Sequence, residues 1–494
     1  MRKREYRKEM ENKGFLKHFV IIGGGTFINL LLSLFTTPLI TRMVDPVEYG
    51  QFSIFTMYSS MALIVFLLGM DQALLRFYYE KTSLEFKRAL VFKCVGLPAV
   101  VTIVTSVIVV VVAFGKLIAF EFAPIIMALL CVYTFIQVIY RFSLNVLRLE
   151  YNSKMFSMLN IIQKIGYIFF AVPLLYIAKS NYLLILVAAT TAAAVVCLIV
   201  SIVYQKDIWN IKQLDLQSCD ISIKEILQYS LPLIVSMGIT TLFQAIDKMS
   251  LNHYCTYTEV GIYSSTLSLV SIFAIVQSTF NTLWNPMATE HFIKNRDDKS
   301  FYQKGNQIIT VVMFFMGISL ILCKDIFAFL LGEKYREAAY ILPFLIFHPI
   351  MYTISETTVT GISFMKKSKM QILIAASACV TNIIGNTILV PRLGCKGAAI
   401  STGISYIVFF TMRTFISNKY FYVDFKLKKF YLLTAFVTAY AFYNTFVHFG
   451  IGAVIGYLIC LMLLIVLYKD TILWGMGYLQ KVLKSKVKRE GRLK

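Results

Sequence analysis

Charge is what this sequence has least of. Only 15% of its 494 residues are Asp, Glu, Lys or Arg, against about a quarter in an ordinary soluble domain. Acid is the scarcer sign, with 26 Asp and Glu against 48 Lys and Arg. No Asp-x-Asp, no P-loop and no Cys-x-x-Cys occurs. These absences argue against a nucleotide-sugar transferase, an ATPase module and a zinc or redox thiol site. The nine cysteines are scattered and mostly lie in apolar runs, where Cys acts as a small hydrophobe. No polar loop exceeds about 25 residues, too short for a soluble catalytic domain. We therefore expect no enzyme, no cofactor and no metal.

Apolar residues are what remains. They make up 58% of the chain, and the mean hydropathy is +0.71. A soluble fold of this composition would expose large sticky patches, whereas lipid accommodates it. Runs of spanning length predict helices over 16–43, 49–75, 89–114, 119–147, 154–178, 182–204, 225–248, 257–286, 303–330, 337–364, 368–390, 396–417, 429–447 and 450–468. The expectation is an all-α polytopic membrane protein with about fourteen transmembrane helices. The basic N-terminus precedes an apolar run too long for a signal peptide, so the first helix is read as retained.

The net charge of +22 is a topology signal. About 36 of the 48 Lys and Arg fall on the side of the N-terminus, which places both termini in the cytoplasm. The heavy inner loops run from Arg76 to Arg88, Lys206 to Lys224, Lys294 to Lys304, Lys366 to Lys369 and Arg413 to Lys429, joined by the C-terminal tail. Lys324 to Arg336 is basic on the outer side, against the rule. Anionic phospholipids are the expected partner of this excess; no motif or compact basic domain points to nucleic acid.

The two halves echo each other. Glu48-x-Gly50-x-Phe52-Ser53 opens the second helix, and Glu259-x-Gly261-x-Tyr263-Ser264 opens the eighth. Ser153-Lys-Met155 and Ser368-Lys-Met370 each open the fifth helix of a half, at a similar offset. Six helices per half place both halves in the same orientation, as in parallel-repeat transporters. The expected organisation is a basic tail (1–17), a six-helix lobe (18–204), a linker (205–224), a second six-helix lobe (225–417), helices thirteen and fourteen (418–468) and a basic tail (469–494).

The stretches Pro38 to Ser53 and Asp247 to Ser264 resemble signatures of polysaccharide-biosynthesis membrane proteins. Gly332 to Ala339 resembles the family's outer segment before helix ten. Asn382…Asn386…Leu389-x-Pro391-x-x-Gly394-x-x-Gly397-Ala398-Ala399 is similar to the pattern of oligosaccharide (Wzx-type) flippases. The resemblance covers nearly the whole chain. It implies a fold like that of multidrug and toxin extrusion (MATE) proteins. It also implies flipping of undecaprenyl-diphosphate-linked sugar repeat units across a bacterial inner membrane, for capsule, exopolysaccharide or O-antigen. A polysaccharide polymerase and a chain-length regulator become candidate partners. Pro391, Gly394, Gly397 and Ala399 themselves read as architectural, suiting a tight turn and a close helix start.

A diphosphate and several sugars cannot cross an apolar layer bare, so polar residues at membrane depth are the candidates. For cargo binding these are Arg42, Arg76, Arg141, Arg148, Lys164, Gln244, Lys248, Gln277 and Asn281. Arg offers phosphate a forked set of donors and Lys a point charge. Arg141 and Arg148 share a face with Gln137. Arg76 and Arg148 also suit snorkelling to the interface. Asp71, Asp247, His348 and Glu356 are the candidates for coupling to an ion or proton; a bland reading makes His348 a structural histidine and Asp247-Lys248 an interfacial pair. His348, Tyr352, Ser355 and Glu356 share one helix face. Glu356 needs either a cation partner or a proton. The rival readings are a lipid II flippase and a cation-coupled multidrug exporter of the same superfamily, and more distantly a membrane polysaccharide polymerase.

Overall fold

The computed structural model describes residues 24, 27–29, 31–116, 118, 121–178, 180–367, 369–475 and 477. The basic tail 1–17, the start of the first helix, Ser368 and most of the C-terminal tail lie outside the described residues. Among the described residues there are helices and connecting turns, and no strand. Contacts divide the chain into two compact units. The first comprises Met1–Asn252 and Thr256–Ser264; the second comprises His253–Cys255 and Ser265–Lys494.

The first unit holds α1 (Phe27–Thr41), α2 (Pro46–Leu67), α3 (Met70–Phe77), α4 (Leu84–Phe114), α5 (Pro124–Leu149), α6 (Ser153–Ile177), α7 (Tyr182–Tyr204), α8 (Ile223–Tyr254) and the start of α9 (Tyr257–Val270). Local chemistry sets their starts. Pro occupies the first turn of α2 and α5, where its missing N–H costs nothing. Ser83 caps α4 by accepting from the Phe86 N–H, and Asn152 caps α6 by accepting from the Met155 N–H. The run 49–75 is two helices, α2 and α3. Leu68 and Gly69 both take positive φ, at 52° and 65°, and break it. A Cβ on Gly69 would lie 2.6 Å from the Ser230 carbonyl oxygen of α8, so the close approach as well as the φ demands glycine.

The main core of this unit packs Leu74, Leu90, Val138 and Phe142 with Ile208, Cys219 and Ile221 of the segment before α8. That segment is therefore part of the fold. Two cations fix it. Arg88, buried in α4, donates to the carbonyls of Asp207 (2.9 Å) and Gln213 (2.7 Å). Lys93 donates to those of Cys219 (2.6 Å) and Ile221 (3.0 Å). The sequence reading put Arg88 in a cytoplasmic loop; it lies in α4, where it satisfies loop carbonyls that would otherwise be buried without partners.

The second unit holds the rest of α9, then α10 (Ile272–Lys294), α11 (Ser300–Leu322), α12 (Lys324–Leu330), α13 (Ala338–Leu345), α14 (Phe347–Thr358), α15 (Thr360–Phe364), α16 (Lys369–Tyr420), α17 (Leu427–Phe446), α18 (Ile451–Leu467) and α19 (Lys469–Gly475). The expected helix 303–330 is broken at Cys323 into α11 and α12. Lys324, fully buried, caps the end of α17 by donating to the Asn444 (2.5 Å) and Val447 (2.9 Å) carbonyls. α16 doubles back at Gly394, whose φ is 56° and ψ −135°. Ser401 donates to the Asn382 carbonyl (3.0 Å) and Oδ1 (2.7 Å). Nineteen residues of straight helix would separate them by about 28 Å, so the two arms form a hairpin. Gly397 sits against Leu389, where a Cβ would lie 2.5 Å from the carbonyl oxygen.

Among the described residues nine helices are long and apolar enough to cross a membrane, or up to eleven if each bent pair is one span. The bent pairs are α9 with α10, at 41°, and α18 with α19, at 80°. α16 supplies two arms under one count. The multi-pass class stands, while the expected number of fourteen is not reached by length and composition.

Candidate functional site

The sequence candidates separate into two sets, one per unit. In the first unit Asp71 is fully buried in the first turn of α3, just after the Leu68–Gly69 break. Gln72 Nε2 donates to its Oδ2 at 2.8 Å, and Arg141 Nε reaches the same oxygen at 3.5 Å. Asn145, one turn beyond Arg141 on α5, donates to the Asp71 carbonyl at 3.3 Å. The Arg141 side chain remains 42% exposed. It reaches the carboxylate through Nε alone, an arrangement that leaves the rest of the guanidinium available to an anion. Lys164 is half-buried on α6, and among the described residues it has no carboxylate partner.

The other cations of this unit behave differently. Arg42 sits exposed in the turn between α1 and α2. Arg76 is exposed, pairs with Glu80 at 3.4 Å and lies 5.5 Å from the Phe77 ring centre. Arg148 is exposed at the end of α5, 5.8 Å from the Phe156 ring centre. These placements fit interfacial side chains. On α8, Gln244 is exposed and Lys248 half-buried, while Asp247 is buried and accepts from Tyr263 Oη at 2.7 Å.

That last bond belongs to a contact the sequence did not foretell: the two copies of the repeated motif pack on each other. Ser53 and Ser264 share a hydrogen bond of 2.6 Å, and they stand 211 positions apart. A Cβ on Gly50 would land on the Tyr257 carbonyl, and a Cβ on Gly261 on the Pro46 carbonyl. The contact is thus two-fold symmetric, each motif glycine receiving the first helical turn of the other. Beside it, Glu121 accepts from Tyr58 Oη (2.7 Å), Tyr257 Oη (2.7 Å) and Asn252 Nδ2 (2.8 Å).

In the second unit Gln277 and Asn281 lie half-buried on α10, and among the described residues the buried Asn281 Oδ1 has no hydrogen-bond partner. The organised set lies between α14 and the second arm of α16. His348, Tyr352 and Glu356, each four residues on, are half-buried along α14. Each is backed by a residue of α16. The His348 ring lies 4.3 Å from that of Tyr406, and the Tyr352 ring stacks 5.8 Å from that of Phe409. Glu356 Oε1 accepts from Arg413 Nη1 at 2.8 Å, and the same nitrogen donates to Ser355 Oγ at 2.7 Å. The guanidinium also lies 5.5 Å from the Tyr352 and Phe409 ring centres. The sequence reading assigned Arg413 to a basic inner loop. The structure buries it in α16, and the signal was available: Tyr406, Phe409 and Arg413 are spaced three and four apart, on one helix face.

Three comparisons bear on this arrangement. The family model described as polysaccharide biosynthesis protein matches residues 15–292. The chain belongs to that family. No curated protein sequence matches it. Among solved structures, the chain is similar to a lipid II flippase, MurJ, in an inward closed conformation, with a TM-score of 0.67 and 16% identity over 92% of this chain and 100% of that one. It is also similar to an inward-facing multidrug resistance MATE family transporter of the MOP superfamily, with a TM-score of 0.57 and 13% identity over 80% and 94%. A MATE protein in complex with MaD5 gives 0.56 and 14% over 82% and 95%. This member of the polysaccharide biosynthesis family therefore has a fold like that of these solved structures, and it is a multi-pass membrane protein.

Proposed function

We propose that the protein flips undecaprenyl-diphosphate-linked oligosaccharides across a bacterial inner membrane by alternating access, with both termini in the cytoplasm. The observation that carries this reading is the half-exposed pair of cations at membrane depth, Arg141 and Lys164, in a chain of the polysaccharide biosynthesis family. A buried charge without a full partner is costly in lipid and is retained where it serves a ligand or pathway. A diphosphate is the part of such a cargo that needs fixed cations, and guanidinium and ammonium groups supply them. A cationic drug would need the reverse sign. Arg42, Arg76 and Arg148, being exposed, serve as interfacial collectors of anionic head groups. The likeness in fold to a lipid II flippase supports a second reading, in which the diphosphate carries a peptide-bearing disaccharide.

The test is reconstitution of the full chain into liposomes with fluorescent undecaprenyl-diphosphate cargo, following leaflet transfer by quenching. The expected result is transfer by the wild type, reduced at least tenfold in Arg141→Ala and Lys164→Ala with folding intact. Running lipid II beside a non-peptide trisaccharide cargo separates the two readings. A folded protein that moves neither cargo above empty liposomes overturns both.

A further inference from the structure

We infer that the stripe His348–Tyr352–Glu356 on α14, with its backing residues on α16, is a carbohydrate track that holds the neutral sugars of the cargo. This inference rests on the flippase reading and adds a second, separate contact to it. Three features of the stripe point to a glycan.

The first is its accessibility. All three α14 residues are half-buried, while Tyr406, Phe409 and Arg413 behind them are buried. Glu356 is nearly as enclosed as Arg413, 11% against 8% exposed, so the stripe opens at His348 and Tyr352, whose rings are packed from behind and held in place before a ligand arrives. Such preorganisation spares the ligand the cost of ordering them. An imidazole and a phenol hydroxyl along a partly open face are also poorly suited to lipid.

The second is its charge. Glu356 and Arg413 neutralise one another at 2.8 Å, so the stripe carries no net charge. A diphosphate would meet the Glu356 carboxylate, and a cation would find that carboxylate already engaged. A neutral polyhydroxylated ligand meets neither obstacle. Its hydroxyls bond to the half-buried imidazole of His348.

The third is its geometry. Tyr352 and Phe409 lie nearly parallel, with an interplanar angle of 11°, and His348 sits one helical turn away over Tyr406. Aromatic faces take up the C–H faces of pyranose rings, which are apolar and flat. From His348 to Glu356 the stripe runs about 12 Å along the helix, room for more than one sugar ring.

The test compares two cargoes and one free ligand. Full-length protein in liposomes is given undecaprenyl diphosphate bearing a neutral trisaccharide, or undecaprenyl diphosphate alone. Tyr352→Leu should slow the trisaccharide cargo about three- to tenfold, the worth of one aromatic contact, and leave the bare lipid diphosphate unchanged. Tyr352→Phe should retain wild-type transfer of both. Equal slowing of both cargoes, or no slowing of either, overturns the track. In parallel, saturation-transfer NMR on detergent-solubilised protein uses free neutral trisaccharides of glucose, galactose and rhamnose. Wild type and Tyr352→Phe should transfer saturation to at least one; Tyr352→Leu should not. No transfer from the wild type also overturns the track. Saturation transfer without flipping overturns the flippase reading and leaves the track standing. Should Tyr352→Leu fail to fold, His348→Leu makes the same test at the next rung.

Discussion

The two units treat their intramembrane charge in opposite ways. In the first, Arg141 reaches Asp71 at 3.5 Å through one nitrogen and remains 42% exposed. In the second, Arg413 is sealed: its side chain is 8% exposed, it meets Glu356 at 2.8 Å, and two aromatic rings flank it. The residue types are nearly the same, and the difference lies in what surrounds them. A guanidinium held through Nε alone can meet a ligand phosphate with the nitrogens that Asp71 does not engage. A sealed one cannot, and its neutralised carboxylate becomes a fixed piece of wall. The comparison teaches that charge at membrane depth does not by itself mark where an anion binds; exposure and the quality of the existing pair decide it.

The sharpest way to break that contrast is to remove one partner of the sealed pair. Glu356→Gln strands Arg413, whose Nε already has no hydrogen-bond partner among the described residues. Breaking a buried pair costs about 3–5 kcal/mol, while replacing both partners by apolar residues of similar volume is far milder. We therefore expect a large loss of thermal stability in detergent for Glu356→Gln and for Arg413→Ala, and recovery of most of it in Glu356→Leu/Arg413→Met. A double variant as unstable as either single one would mean that the pair is not the sealed element described above.

A second prediction concerns the motif copies in the first unit. Gly50 and Gly261 occupy equivalent positions of a two-fold contact, each under the other's first helical turn. Backbone, not a flexible side chain, is what a new Cβ meets, so α2 and α9 must move apart. Overpacking of this kind costs about 1–3 kcal/mol. Gly50→Ala and Gly261→Ala should lower the melting temperature by similar amounts. A loss confined to one of them would show that the contact is less symmetric than its geometry.

Much of this could be read in the sequence, for identifiable reasons. Helix existence and type followed from apolar runs, because lipid leaves the backbone few alternatives. The repeat was visible in Glu48-x-Gly50 and Glu259-x-Gly261, yet nothing in a linear pattern says that two copies touch. The α2–α3 break was missed because Leu68, which takes a positive φ, carries no turn signature, and a lone Gly69 inside an apolar run is a weak one. Arg413 was missed for a different reason. Near a span's end, Arg reads as a loop or snorkelling residue, and that reading overrode the spacing that puts Arg413 on one helix face with Tyr406 and Phe409. Asp71 with Arg141 and Glu356 with a cation are pairings between helices, and a single sequence carries residue types but not helix rotation.

The loose pair of the first unit makes a gentler prediction. Because Asp71 is fully buried, Arg141→Met alone would strand its carboxylate, so stability is compared in an Asp71→Asn background: there Arg141→Met should cost no more than about 1 kcal/mol, since Arg141 itself is half-exposed. Transfer of a diphosphate-linked cargo should nevertheless fall at least tenfold. Stability and transport are thus expected to separate at Arg141 and to fall together at Arg413. A melting-temperature loss at Arg141 as large as that at Arg413 would erase the distinction between the two units.

The smallest effect lies outside the membrane, at the outermost tie of the segment before α8. Lys81 donates to Asp220 at 3.0 Å, and that hydrogen bond holds the Asp220 carboxyl below its ordinary value of 3.8. A carboxylate with a depressed folded pKa stabilises the fold above its ordinary value, and the contribution fades as pH falls through the lowered one. Arg88 and Lys93 bind backbone carbonyls of the same segment, and those bonds involve no carboxylate. Acid should therefore loosen the segment at Asp220 without releasing it. Trp209, packed edge-on to Phe92 at 5.9 Å, reports on this if labelled with fluorine. Its resonance should shift slightly below pH 3.8 in the wild type and stay flat in Asp220→Asn. A large shift would mean that the segment is held by its charged surface tie, and that the buried cations of the first unit are as weakly engaged there as Arg141 is with Asp71.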